Sequence, residues 1–279
     1  MTPGQDNPLD RAAARDLLTF YVEAGVDAAL GEAPVDRFAD VAAAPQPEVP
    51  HADMASVRQP LPKVAPRAAA MPATQSPPPP EEAIMAARAA ARQARSLEEL
   101  RAIMTGFEGC ALRTTAKQLV FGDGSADARL MFVGEAPGSE EDQQGIPFIG
   151  RSGQLLDKML AAIGLARQEV YIANIVPWRP PGNRDPSTHE SQICLPFIHR
   201  QIELVDPDIL VCLGKPSTAT LLGVTDGIRR TRGRWFPFNT GTREIRATAT
   251  FHPAYLLRTP IEKRFAWRDF LAVKKALAG

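Results

Sequence analysis

Four short segments concentrate the side chains that could do chemistry. The first runs Gly134-Glu135-Ala136-Pro137-Gly138-Ser139-Glu140-Glu141-Asp142, which puts four carboxylates within eight residues. Two glycines around a proline make a rigid tight turn and let backbone amides approach a ligand closely. Carboxylates crowded in this way are costly unless something needs them. A solvated acidic helix start is the alternative, because Glu and Asp favour a first helical turn. The second segment, Gly145-Ile146-Pro147-Phe148-Ile149-Gly150, holds an aromatic between proline and glycines. The third follows Asn174 and runs from Pro177-Trp178-Arg179 through Pro180-Pro181-Gly182-Asn183-Arg184-Asp185-Pro186. So proline-rich a loop can be neither helix nor sheet, and it carries arginines and asparagines suited to an anionic or hydrogen-bonding ligand. The fourth, Phe251-His252-Pro253-Ala254-Tyr255-Leu256-Leu257-Arg258, fixes a histidine before a proline. A lone histidine is usually structural; one at a strand end is a better candidate for function.

These segments need a scaffold, and the intervening sequence supplies one. Apolar strands are predicted at Arg129–Val133, Val170–Val176, Ile209–Leu213 and Ile245–Thr250. Helices are predicted at Glu81–Thr105, Gly153–Ile163, His189–Leu204, Pro216–Leu222 and Ile261–Leu277. Apolar strands alternating with helices imply an α/β fold, a three-layer α/β/α sandwich around a mainly parallel sheet. In such sheets ligands bind beyond the carboxyl ends of the strands. The chemistry-bearing segments fall at those ends.

Taken in order, G-E-A-P-G-x-x-E-D at Gly134–Asp142, G-x-P-F-x-G at Gly145–Gly150, R-P-P-G-N-R at Arg179–Arg184 and H-P-A-Y-L-L-R at His252–Arg258 resemble the uracil-DNA glycosylase superfamily, and most closely its family 4. The resemblance runs from about Phe107 to the C-terminus and leaves out the first hundred residues. It implies a monofunctional DNA glycosylase acting on uracil-containing DNA. Phe148 would stack on the flipped base, and Asn174 would read its edge in a pocket that includes Ala136. Glu135 would stabilise positive charge on the sugar and orient water. His252, as a neutral donor, would stabilise the departing uracil anion. Glu141 is carried over as a second functional carboxylate, with acidic surface as the alternative. Leu256 and Leu257 would wedge into the vacated stack, with Arg258, Arg179, Asn183 and Arg184 on the DNA. The run Arg229, Arg230, Arg232 and Arg234 is either a phosphate contact or a solvated loop. Family 1 members carry an aspartate where Ala136 sits and a thymine-blocking tyrosine where Gly138 sits; like family 4, this chain has neither.

Family 4 also implies an iron–sulfur cluster held by four cysteines, and here the sequence departs. Cys110 and Cys194 match two ligand positions, but Phe107 and Trp178 stand at the other two. Neither ring can bind iron, so no metal or cofactor is expected and aromatic packing is expected in its place. Cys212, inside an apolar strand, is read as core.

Composition bounds the rest. Residues 1–100 carry 9 Lys and Arg against 14 Asp and Glu, whereas residues 101–279 carry 23 against 18. The basic second part suits a polyanionic partner or an ordinary solvated surface. No apolar run nears the roughly 18 residues of a membrane span, no secretory signal opens the chain, and three cysteines make no disulfide framework. A cytoplasmic monomer is expected. Residues 9–31 have helix-like apolar spacing, and residues 41–80 hold 11 prolines. The expected organisation is an N-terminal helical segment (1–40), a disordered linker (41–80) and the α/β domain (81–279). The first helix is either a docking element for another protein or has no partner. Two other functions stay open: a catalytically idle DNA- or partner-binding module of the same fold, and a related glycosylase with a different preferred lesion.

Overall fold

The structure, a computed structural model, describes residues 80–278. The helix expected within residues 9–31 and the linker up to residue 79 lie outside the described residues. In chain order the elements are α1 (Pro80–Gln93), α2 (Leu97–Gly106), α3 (Leu112–Thr115), β1 (Asp123–Gly124), β2 (Leu130–Gly134), α4 (Ser139–Gln144), α5 (Arg151–Ala162), β3 (Tyr171–Asn174), α6 (Thr188–Val205), β4 (Ile209–Leu213), α7 (Lys215–Leu222), α8 (Ile228–Thr231), β5 (Trp235–Asn239), β6 (Glu244–Thr250), α9 (Pro253–Arg258) and α10 (Lys263–Leu277).

The six strands form one sheet in the order β1-β3-β2-β4-β6-β5. The inner four are parallel, and β1 and β5 close the edges antiparallel. The alternation of strand side chains divides the core in two. Met131, Val133, Leu210, Cys212, Ala247 and Ala249 face a layer that includes Ala87, Leu100, Phe197 and Ile202 of α1, α2 and α6. Leu130, Phe132, Ile172, Ile209 and Val211 face Leu156 and Leu160 of α5 and Phe270 and Val273 of α10. The α/β/α sandwich is therefore present, with a mainly parallel sheet. Every residue of β2, β3 and β4 is buried, the pattern of strands covered on both faces.

Three expectations need correction. The single helix expected over Glu81–Thr105 is two. Ser96 caps α2, its hydroxyl accepting from the Glu99 N–H at 3.2 Å, and so interrupts the alanine-rich run. The closing helix begins at Lys263, after a separate turn at Pro260–Glu262. Finally, β1 and β5 were not anticipated. Among the described residues no helix is long and apolar enough to cross a membrane.

Candidate active site

The four parallel strands end on one side of the sheet, and their following residues line a single cleft of about 640 Å³. β2 delivers Glu135, β3 ends in Asn174, β4 leads into Gly214, and β6 leads through Phe251 to His252. Ala136, Glu141, Phe148, Asn183, Arg184 and Arg258 line the same cleft. The segments expected to converge do so.

At the floor lies Asn174, only 3% exposed. Its Oδ1 is the one buried side-chain polar atom among the described residues with no hydrogen-bond partner. A Cβ built on Gly134 would stand 2.5 Å from that oxygen and 2.6 Å from Phe148 Cζ. Glycine at this strand end is what lets amide and ring lie side by side.

Phe148 holds φ +52°, a left-handed conformation rare for a bulky residue. Such a backbone costs about 1–3 kcal/mol and persists where its surroundings over-determine it. Its ring stands 5.4 Å from the His252 ring, inclined by 35°. His252 caps α9, its Nδ1 accepting from the Ala254 N–H at 3.1 Å. In the neutral ring the proton therefore sits on Nε2. Burial, with Arg258 nearby, lowers the His252 pKa to about 4, so the ring is neutral at pH 7.

The carboxylates divide by environment. Glu135 is half-buried and no protein group among the described residues pairs with it; burial first, and Asp185 second, raise its pKa to about 7. Glu141 is buried, and its oxygens are turned toward backbone. Oε1 accepts from the Ile149 and Gly150 N–H groups at 3.1 and 3.0 Å, and Oε2 from the Gly138 N–H at 3.1 Å. It ties the first motif loop to the second.

The candidate DNA-facing residues are partly committed elsewhere. Leu256 is wholly buried against Phe251 and Ala266, which corrects the expectation of a paired wedge. Leu257 is half-buried and Arg258 exposed. Arg184 forks onto both oxygens of Glu190 at 2.8 and 2.6 Å. Arg179 reaches Asn183 Oδ1 at 2.7 Å and lies 3.8 Å from the buried Asp142. In the basic run, Arg229 pairs with Glu262 at 2.6 Å and Arg232 with the buried Asp269.

The four positions at which the family pattern would hold a cluster lie in one core layer on one face of the sheet. The Phe107 ring meets Phe197 edge-on at 5.0 Å, and Trp178 is 2% exposed. Cys110 and Cys194 are free thiols buried in the same core layer, and burial pushes the Cys194 thiol well above its ordinary range. Two thiols and two carbon-faced rings are not a four-thiolate site, and among the described residues no three His, Cys, Asp or Glu side chains converge as metal ligands. A four-cysteine cluster does not fit these residues.

Sequence reasoning passed over Gly214 and Lys215, which line the cleft after β4; a glycine at the end of a buried parallel strand was the available signal.

Comparison with known proteins agrees with this geometry. Type-4 uracil-DNA glycosylases of Saccharolobus solfataricus, Thermotoga maritima and Archaeoglobus fulgidus are 40%, 42% and 37% identical to this chain over 174, 150 and 169 residues. Those spans cover 61%, 53% and 59% of this chain and 81%, 77% and 85% of the relatives. Residues 121–271 match the family described as the uracil DNA glycosylase superfamily. With both the match and the strand-end cleft in hand, the chain belongs to the uracil DNA glycosylase superfamily and is similar, within it, to the type-4 proteins.

Proposed function

We propose that the chain excises uracil from DNA, hydrolysing the N-glycosidic bond and leaving an abasic site. The observation that carries this reading is Asn174 Oδ1, a buried acceptor without a partner beside an aromatic ring. An unpaired buried acceptor costs on the order of 1–3 kcal/mol. The ring N–H of uracil offers the missing donor, while the Asn174 amide donates to the carbonyl at position 4. Cytosine presents the reverse pattern and would leave both groups unpaired.

Extruding the base costs on the order of a few kcal/mol. Stacking on Phe148, in a pocket closed by Ala136, offsets part of it. Cleavage then makes an oxocarbenium-like sugar and a uracil anion. Glu135, when ionised, opposes the positive charge and orients water. The Nε2–H of neutral His252 donates to the uracil oxygen, so charge is stabilised where it develops. Glu141 contributes as a positioning residue through the amides of Gly138, Ile149 and Gly150. Leu257 takes the place of the extruded base in the stack, and Arg258, Arg179, Asn183 and Arg184 hold the flanking DNA. No step requires an iron–sulfur cluster, and we propose that none is bound. We take residues 81–279 as the catalytic domain, acting as a cytoplasmic monomer, with 1–40 and 41–80 as separate segments and 1–40 open to a protein partner.

Incubation with a uracil-containing oligonucleotide, followed by alkali, tests the reading. Strand breaks at uracil are expected. Retained DNA binding without breaks would instead identify an idle module, and breaks at another lesion alone a glycosylase of different preference.

A further inference from the structure

We propose that Arg167, which lies outside all four motifs, is a positioning residue that aims the Phe148 ring at the extruded base. The inference rests on the uracil-stacking reading of Phe148.

Arg167 begins a single helical turn between α5 and β3. Its guanidinium reaches back to the second motif loop. Nη2 donates to the Pro147 carbonyl at 2.6 Å, and Nη1 donates to the Phe148 carbonyl at 2.9 Å. These two oxygens belong to the two peptide planes that flank the Phe148 Cα. With both planes pinned, φ and ψ of Phe148 are fixed, and so is the direction of its Cα–Cβ bond. The second plane is gripped at both ends, since its N–H, that of Ile149, donates to Glu141. One guanidinium and one carboxylate therefore hold a left-handed backbone that a phenylalanine rarely adopts.

The guanidinium is itself oriented. Nε donates to Asp123 Oδ2 at 2.6 Å and Nη1 to Asp157 Oδ1 at 3.0 Å. Asp123 stands on the two-residue edge strand β1, and Asp157 on α5. With its side chain 16% exposed, Arg167 is shielded enough for these charge-assisted bonds to hold their geometry. A lysine keeps the charge but has one compact ammonium and cannot span two carbonyls and two carboxylates.

The test is a double-mutant cycle with an independent view of the ring. Arg167→Met should lower kcat/KM for uracil excision by about 10–100-fold, the scale of a reacting group misplaced by an ångström. Affinity for undamaged duplex should stay within about twofold of the parent. In a Phe148→Ala background the same substitution should change kcat/KM by no more than about twofold, because the group it positions is gone. Arg167→Lys, which retains the charge between the two aspartates, should fold and still show the loss. Equal losses in both backgrounds, or a fully active Arg167→Lys, would overturn the proposal. The nuclear Overhauser contact between the Phe148 and His252 rings reads the same clamp without catalysis. It should weaken in Arg167→Met, and an unchanged contact overturns the clamp. Were the parent protein inactive on uracil, the uracil reading would fall and the ring contact alone would decide the clamp.

Discussion

The His252 ring faces the Phe148 ring at 5.4 Å while its own Nδ1 is occupied by the Ala254 N–H. One nitrogen is spent on the helix cap, so only Nε2–H is free to act on a ligand stacked against the phenylalanine. Removing a preorganised donor of this kind costs about 2.7–4 kcal/mol of transition-state stabilisation, roughly a hundred- to a thousandfold in rate. His252→Ala should therefore slow single-turnover excision by about that factor while affinity for a uracil-containing duplex changes little. Because burial holds the ring neutral down to about pH 4, the rate should carry no histidine limb between pH 6 and 7. Paired binding and single-turnover measurements check both points.

Glu135 supplies the pH dependence instead. Its pKa, raised to about 7 by burial and Asp185, means that the ionised form predominates only above neutrality. Excision should rise with pH, reach half its plateau near pH 7 and level only above it. Asp185→Asn removes the repelling charge but not the burial, so the midpoint should move acid-ward and stay above that of an ordinary glutamate. The linkage has a definite sign. A carboxyl with a higher pKa folded than unfolded binds more protons in the native state, so stability is lost as pH rises through about 7. Glu135→Gln should abolish excision yet raise the melting temperature at pH 8. A pH–rate profile and a melting series give the answer.

Gly134 is the third point of test. A methyl there would meet Asn174 Oδ1 at 2.5 Å and Phe148 Cζ at 2.6 Å, so amide and ring must separate. Both neighbours are side chains and can give way, which leaves the fold intact. Gly134→Ala should lose excision by about a hundredfold, as expected for misplaced recognition groups, with a melting temperature close to the parent's.

The scaffold was legible because its signals are strong. Ile209–Leu213 is apolar throughout, and a strand of that kind must be covered on both faces. Once the sheet is parallel, Glu135, Asn174 and His252 are brought together by chain direction alone. What stayed hidden was weakly encoded. β1 is two residues long, and β5 contains Pro237 with three of its five positions exposed. Neither leaves a periodic trace. The break between α1 and α2 was present as Ser96 with Glu99 three residues on, a capping signal overridden by the alanine run. Adjacent leucines in α9 gave no means to decide which turns inward, and packing chose Leu256. Arg167 has no motif at all. Its importance lies in carbonyls 19 and 20 residues earlier in the chain.

Trp178 and the two thiols make the last prediction. In this chain an indole occupies the place where the family pattern would supply a metal ligand, and it is among the largest fully enclosed side chains. Packing there must do the structural task that metal–sulfur bonds would otherwise do. Trp178→Ala should therefore cost about 3–5 kcal/mol, the range for emptying a large buried aromatic site. A chelator should leave both excision and melting temperature unchanged, because the described residues hold no group of three His, Cys, Asp or Glu for it to strip a metal from. Protein purified without oxygen should carry less than one iron per chain and no visible absorption band, and all three cysteines should titrate as free thiols once unfolded. Stoichiometric iron bound through Cys110 and Cys194 would show instead that a ligand from outside residues 80–278 completes the site, and Trp178→Ala with parental stability would remove the packing argument independently.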